Sequence, residues 1–171
     1  FMWPKSFWYK VYEPIIRKAA GMGTASLKSD PDRYDHQYEH CDILVVGSGP
    51  SGISSALAAA KNGAQVILAE DKPRFGGSLL TDNVTIGNKN GDEWAEEAIA
   101  ELKSMSNVIV RKRSQVFGYY DHNMLVMFER CKDHLDNPEA FTPRQRLWYI
   151  RAKEVILSTG SIERPLVFAN N

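Results

Sequence analysis

Hydrophobic and polar positions change character near residue 41. From Ile43 to Val46 four apolar residues run together without alternation, the pattern of a strand buried on both faces. An Ala-rich stretch then runs through Lys61 and closes on Asn62-Gly63, which predicts a helix with a glycine stop. Gln65 to Glu70 reads as a second strand, so the three segments predict a right-handed parallel βαβ unit. Residues 92–105 place Trp94, Ala95, Ala98, Ile99, Leu102 and Met105 on one helical face, with Asn90 or Asp92 available as a cap. Val108 to Val110 reads as a third strand. Gln115–Tyr120, Met124–Glu129 and Arg146–Ala152 read as an antiparallel meander, divided by a polar excursion from Asp133 to Arg144 that carries Pro138 and Pro143. Val155 to Leu157 predicts a fourth parallel strand beside the first, running into Ser158-Thr159-Gly160. No internal repeat is visible.

Residues 1–40 follow no such pattern. Phe1, Trp3, Phe7, Trp8, Tyr9 and Tyr12 crowd the opening, and Pro4 and Pro14 break any long element. A short helix from Glu13 to Ala20, ended by Gly21 and Gly23, and a polar, turn-rich stretch from Ser29 to His40 complete the segment. It reads as a linker wrapping a larger protein or as an aromatic docking surface for another subunit. The expected organisation is therefore an aromatic-rich linker or docking segment over 1–40 and the first part of a dinucleotide-binding domain over 41–171. The fold class is α/β: a doubly wound, mainly parallel Rossmann-like FAD/NAD(P)-type sheet with an inserted antiparallel meander, incomplete at its C-terminus.

Length and composition narrow the function. The 171 residues, 43% hydrophobic and 25% charged, suit about one globular domain. Lys+Arg and Asp+Glu both number 21, so there is no basic excess to attract nucleic acid or a membrane surface, and no apolar run is long enough to span a bilayer. The two cysteines are too few for a disulfide scaffold, which points to an intracellular, cytoplasmic setting. His36, His40, Cys41, Cys131 and His134 lack the paired, glycine-turned spacing of a zinc site, so no metal is expected.

The chemistry lies in Gly47-Ser48-Gly49-Pro50-Ser51-Gly52, a G-x-G-x-x-G between the first strand and the first helix of the unit. Gly47 permits the tight turn, Gly49 lets a pyrophosphate approach the backbone, and Gly52 lets helix and strand pack closely. Pro50 suits the first helical turn, whose free N–H groups and dipole attract phosphate. Glu70 ends the second strand, where a carboxylate accepts the ribose hydroxyls and repels a 2′-phosphate. NAD or FAD is thus favoured over NADP, although Lys72 and Arg74 could pair with a phosphate. Gly76-Gly77-Ser78 supplies small residues and a hydroxyl beside the strand ends, and Thr159 and Gly160 should meet the same ligand. No residue stands out as a catalytic acid, base or nucleophile. Asp121-His122 reads as a polar turn.

This ordered series resembles the first domain of two-dinucleotide-binding-domain flavoproteins. The phrases FMWP, CDILVVGSGPSG, GGSLL, VFGYYDHN, PRQRLW and STGSIERPLVFANN are similar to the α subunits of heterotetrameric sarcosine oxidases. That resemblance implies a chain several times longer, with a region before this domain and a folate-binding, aminomethyltransferase-like region after it. It implies β, γ and δ partner subunits and oxidation of sarcosine by O2 to glycine, a one-carbon unit and hydrogen peroxide. Tetrahydrofolate can capture that unit as methylenetetrahydrofolate. It further implies substrate oxidation at an FAD in the β subunit, an FMN between α and β, and NAD in the Rossmann site. Ser51, Glu70-Asp71-Lys72, Ser78 and Val116 match its NAD-contacting positions, Val116 through its backbone. Ser51 and Ser158 stand where Ala is common. Two alternatives remain: an FAD-binding subunit of a related amine or amino-acid dehydrogenase, and a module in which NAD is structural.

Overall fold

In a computed structural model of the chain, residues 3–23 and 25–161 are described. Phe1 of the opening aromatics and the ERPLVFANN phrase lie outside them. The chain divides into two units, Phe1–Pro31 and Asp32–Asn171. In the first, a 3-10 turn at Lys5–Phe7 and a wider turn at Trp8–Tyr12 lead into helix α1 (Glu13–Ala19), with Pro14 in its first turn.

The second unit holds a six-stranded sheet in the order β5-β2-β1-β8-β7-β6. Its strands are β1 (Tyr34–Val46), β2 (Val66–Ala69), β5 (Val108–Arg111), β6 (Ser114–Tyr120), β7 (Met124–Arg130) and β8 (Gln145–Leu157). Between β2 and β5 lie a small hairpin, β3 (Thr85–Ile86) with β4 (Lys89–Asn90), and helix α3 (Gly91–Ser104). Helix α2 (Pro50–Lys61) joins β1 to β2. Strands β5, β2, β1 and β8 are parallel, while β7 runs antiparallel to its two neighbours, β8 and β6, so the expected architecture is present. The fourth parallel strand lies beside the first, as its position after the meander predicts.

Both faces of β2 and of the carboxyl end of β1 are buried, which explains their unbroken apolar runs. Val45, Val66 and Leu68 pack on Ile53, Ala56, Ile99 and Leu102 of the two helices. Leu44, Val46, Ile67 and Ala69 pack on the opposite side with Leu125, Met127, Trp148 and Ile150 of the meander. Asn90 stands at the N-cap of α3 without a side-chain cap, and Asp92 instead accepts from the Glu93 N–H.

Two expectations are corrected. Tyr34–His40, expected in the N-terminal linker, is the first half of β1, so the unit boundary falls at 31/32 and not at 40/41. The segment alternates half-buried and exposed residues with none β-branched. It is held by its ladder to β8, by the stacked Tyr38 and Tyr149 rings (5.0 Å) and by an Arg146–Asp35 ion pair (2.9 Å). Arg146–Ala152 and Val155–Leu157, expected as separate strands, form one.

The sheet does not stay flat along these long strands. The N–H groups of Asp42 and Ile43 both donate to the Gln65 carbonyl, at 2.9 and 3.1 Å, which is a bulge. Cys41 therefore shares a face with Leu44, three residues on, where an unbroken strand would place them on opposite sides. Glu39 and Val46 are seven residues apart, about 23 Å along a straight strand. Yet Arg111, level with Val46 through the β1–β2–β5 ladder, pairs with Glu39 at 2.9 Å and stacks 3.7 Å above the Trp148 ring. The meander half folds back over the parallel half. Its near edge is fixed there by the Ser114 N–H, which donates to the Glu70 carbonyl (2.8 Å).

Cys41 lies in that folded seam. Burial, then the Glu39 and Asp42 carboxylates, push its thiol from 9.0 up to about 12. The folded value exceeds the unfolded one, so its contribution is complete below pH 9 and is lost as pH rises toward 12. The stability advantage of the wild type over Cys41→Ala should shrink across that window, as read by denaturant unfolding at stepped pH. A constant difference would contradict the buried neutral thiol.

Candidate dinucleotide site

Five separated segments meet at the carboxyl ends of β1, β2 and β8, around a cleft of about 590 Å³. That volume lies within the range of small-molecule sites. The floor is the turn after β1. The Gly47 N–H donates to the Ala69 carbonyl (2.8 Å), and the Ser158 N–H donates to the Val46 carbonyl (2.8 Å), so the turn is tied to both neighbouring strands. Gly47 has φ 98°, and a Cβ there would run into the Ser158 carbonyl. A Cβ on Gly52 would run into the Gly47 carbonyl, which is the close helix–strand approach expected of this glycine. Gly49 differs: its φ is −67° and a Cβ there would meet nothing within 4 Å.

Gly49 is the N-cap of α2 and provides no side-chain cap, and Pro50 occupies the first turn. The first-turn amides have no intrahelical acceptor and the helix dipole adds a partial positive charge, so this end suits an anion. Pro50 and Ser51 line the cleft beside it. Gly77 (φ 55°) lies against Gly49, Ser78 lines the same wall, and the Gly76 N–H donates to the Ser48 carbonyl (3.0 Å). Thr159 and Gly160 close the side formed by the end of β8.

Glu70, Asp71 and Lys72 form the rim at the end of β2. Glu70 is 6% exposed. Its Oε2 accepts from both the Ser48 N–H (2.9 Å) and the Ser48 hydroxyl (2.5 Å), and its Oε1 accepts from the Lys72 N–H (2.8 Å). The carboxylate is therefore a brace of the loop as well as part of the wall, and most of its acceptor capacity is used within the chain. The Asp71 carboxyl is held below its ordinary value by the adjoining Glu70 side chain, then by Lys72 and Arg130, against the effect of burial. Lys72 pairs with Asp71 at 3.5 Å. Arg74 pairs with Glu96 at 3.6 Å and does not line the cleft, so it is not placed to hold a phosphate there.

Val116 reaches the cleft because the start of β6 is bonded to the end of β2. It pairs with Met127 just before a bulge, on the edge strand of the sheet, so one side of the β6 backbone is outside the ladder. Every expected site residue lines the cleft except Gly52, which lies behind the turn. Ser158, noted from the sequence as standing where Ala is common, belongs to it too, and so do Ser48, Ser114, Gln115 and Ser161, which were not singled out. Only the variable position inside G-x-G hinted at Ser48. Asp121-His122 lies in the β6–β7 turn outside the cleft, with His122 at φ 58°. Among the described residues, no three His, Cys, Asp or Glu side chains gather as a metal site, and no helix is long and apolar enough to cross a membrane.

The cleft fits the ADP portion of a dinucleotide on these observations: a clear approach at Gly49, an uncapped helix start and a carboxylate at the second strand's end. The comparisons agree. A family model described as FAD dependent oxidoreductase matches residues 42–137. The chain belongs to this family. It is 47% identical over 171 residues to sarcosine oxidase subunit alpha of Rhizobium meliloti (strain 1021), covering 100% of this chain and 17% of that protein. It is 40% identical over 153 residues to the protein of the same name from Corynebacterium sp. (strain P-1), covering 88% and 16%. The resemblance noted in the phrases is therefore borne out across the chain, which spans about a sixth of the length of these curated relatives. L-proline dehydrogenase from P. horikoshii shares the fold, with a TM-score of 0.60 at 22% identity over 86% of this chain and 28% of its own.

The glycines separate fold from ligand. Gly52→Ala should destabilise the unliganded protein by about 3 kcal/mol, the upper range for overpacking. Gly49→Ala should change stability by less than about 1 kcal/mol. Thermal unfolding of both variants without added dinucleotide checks this, and equal losses would contradict the geometry.

Proposed function

We propose that this chain is the NAD-binding part of a sarcosine-oxidase-type α subunit. One observation carries the reading: the fingerprint turn, the Glu70 strand end, the Gly77-Ser78 wall, the start of β6 and the Thr159-Gly160 end share one cleft, open where Gly49 has no side chain. In this reading Gly47, Gly49, Pro50 and Ser51 form the pyrophosphate cradle, and Gly52 packs the helix behind it. Glu70 accepts from the adenosine ribose with Asp71 and Lys72 beside it, and the Val116 backbone edge faces adenine. Gly77, Ser78, Thr159 and Gly160 enclose the rest. NAD, when bound, is a hydride carrier. Around it this chain binds, orients and limits water, since the titratable side chains lining the cleft are the rim residues Glu70, Asp71 and Lys72.

The assembly then contains β, γ and δ subunits, with FAD in β, FMN between α and β, and tetrahydrofolate taken by another region of α. Its reaction is oxidation of sarcosine by O2 to glycine, a one-carbon unit and hydrogen peroxide, with substrate oxidation in the β subunit. The exposed Trp3 and Tyr9 of the first unit support a docking role for that segment within the assembly. The two cysteines are unpaired, which supports a reducing, cytoplasmic setting.

A second reading places FAD in the same cleft, as in a related amine dehydrogenase subunit. It is favoured by the description of the matching family, and the two ligands share the ADP portion that the cleft suits. Denaturing the full-length protein and identifying the dinucleotide released from this chain separates them. NAD supports the proposal, and noncovalent FAD traced to this chain overturns it. Nicotinamide reduction in step with sarcosine turnover would show a redox role, whereas an unchanged absorbance would indicate structural NAD. Glu70→Ala should weaken dinucleotide retention by about 1 to 3 kcal/mol, the scale of hydrogen bonds to a charged group. Unchanged retention would remove Glu70 from the site.

A further inference from the structure

Ser48 makes an unusual set of contacts for the variable position of a glycine turn. It is fully buried at 0% exposure, although it lies in the loop that lines the cleft. Its N–H and its hydroxyl both donate to Glu70 Oε2, at 2.9 and 2.5 Å. Its hydroxyl oxygen and its carbonyl both accept from the Gly76 N–H, at 3.3 and 3.0 Å. One residue thus joins the fingerprint turn, the end of β2 and the Gly76-Gly77 turn, which are three walls of the cleft.

These bonds make the two oxygens of Glu70 inequivalent. Oε2 receives two donors from inside the protein, and a carboxylate oxygen has about two acceptor positions. Oε1 receives the Lys72 N–H and retains spare capacity. A free Glu70 side chain could rotate and offer either oxygen, or turn away from the cleft. With Oε2 held at two points, that rotation is removed and the orientation of Oε1 is set by the loop itself.

We infer that Ser48 is a positioning residue for ribose recognition: by saturating Oε2 it holds Oε1 of Glu70 toward one adenosine-ribose hydroxyl of the dinucleotide. This rests on the proposed NAD reading and deepens it. A residue that only stabilised the loop would affect all dinucleotides alike. A residue that orients Oε1 must be energetically coupled to the hydroxyl that Oε1 accepts from.

The test uses the full-length protein and compares binding of NAD with that of NAD analogues lacking the adenosine 2′- or 3′-hydroxyl, in wild type and in Ser48→Ala. In the wild type, one of the two analogues should bind about 10-fold or more weakly than NAD, as loss of a hydrogen bond to a charged acceptor implies. In Ser48→Ala that penalty should fall to about 2-fold or less, while NAD itself binds more weakly. If Ser48→Ala does not fold, Ser48→Cys carries the same comparison with a weak donor in place of a strong one. A deoxy penalty of the same size in the variant overturns the inference and leaves the NAD reading intact. Failure of the wild-type protein to bind NAD at all overturns both.

Discussion

The pairing of β1 with β8 is the constraint on which the rest depends. Both strands are 13 residues long, and the ladder runs from Tyr34–Gln145 to Val46–Leu157. Its lower half carries the meander, and its upper half carries the parallel sheet and both helices. At the top, the register brings Val46 opposite Leu157, so the two strands end together and Gly47 lies against Ser158. A slip of one residue would reverse every side chain of β8 and separate those two turns. The cleft exists because that register is held over the whole length.

Holding it requires more than apolar contact, because the lower half of β1 has few apolar residues. Arg111 pairs with Glu39, stacks on Trp148 and lies 4.0 Å from Glu129, while the Trp148 indole N–H donates to Glu129 at 2.7 Å. These groups come from β5, β1, β8 and β7. Desolvating such a cluster offsets much of its attraction, so it is weak evidence for net stability. Its geometry is nonetheless specific: a register shift or a flat sheet would leave half-buried charges without partners. The acidic and basic residues, equal in number, are here partly used in closing the folded sheet.

The parallel half was legible because burial on both faces leaves an unmistakable run, as in Leu44–Val46 and Val66–Ala69. The glycine fingerprint and its acidic partner were legible because backbone geometry restricts which residues fit. The lower half of β1 was not, since Tyr34 to His40 contains no β-branched residue and its partners are distant in sequence. Strand β8 was divided in two by the polar Lys153-Glu154. Lys153 in fact pairs with Asp42 at 2.7 Å, across the bulge where the sheet bends. A bulge needs two strands to be seen, and one strand's pattern carries no trace of it. Ser48 was missed for a related reason: a serine in a loop looks solvated until the Glu70 side chain is placed above it.

The glycines show how fold and function separate within one motif. Gly47 and Gly52 are required by the chain's own packing, because a Cβ at either position would strike backbone. Gly77 is required by its approach to Gly49. Gly49 alone among the fingerprint glycines has an ordinary φ and open space where its side chain would stand. At an N-cap Ser, Thr, Asp or Asn would satisfy a free amide that glycine leaves open, and the protein's packing supplies no reason for glycine here. A pyrophosphate approaching the N-terminus of α2 does supply one, since the uncapped amides it would meet lie on that open side. The residue that the fold leaves unexplained is thus the one that the proposed dinucleotide accounts for.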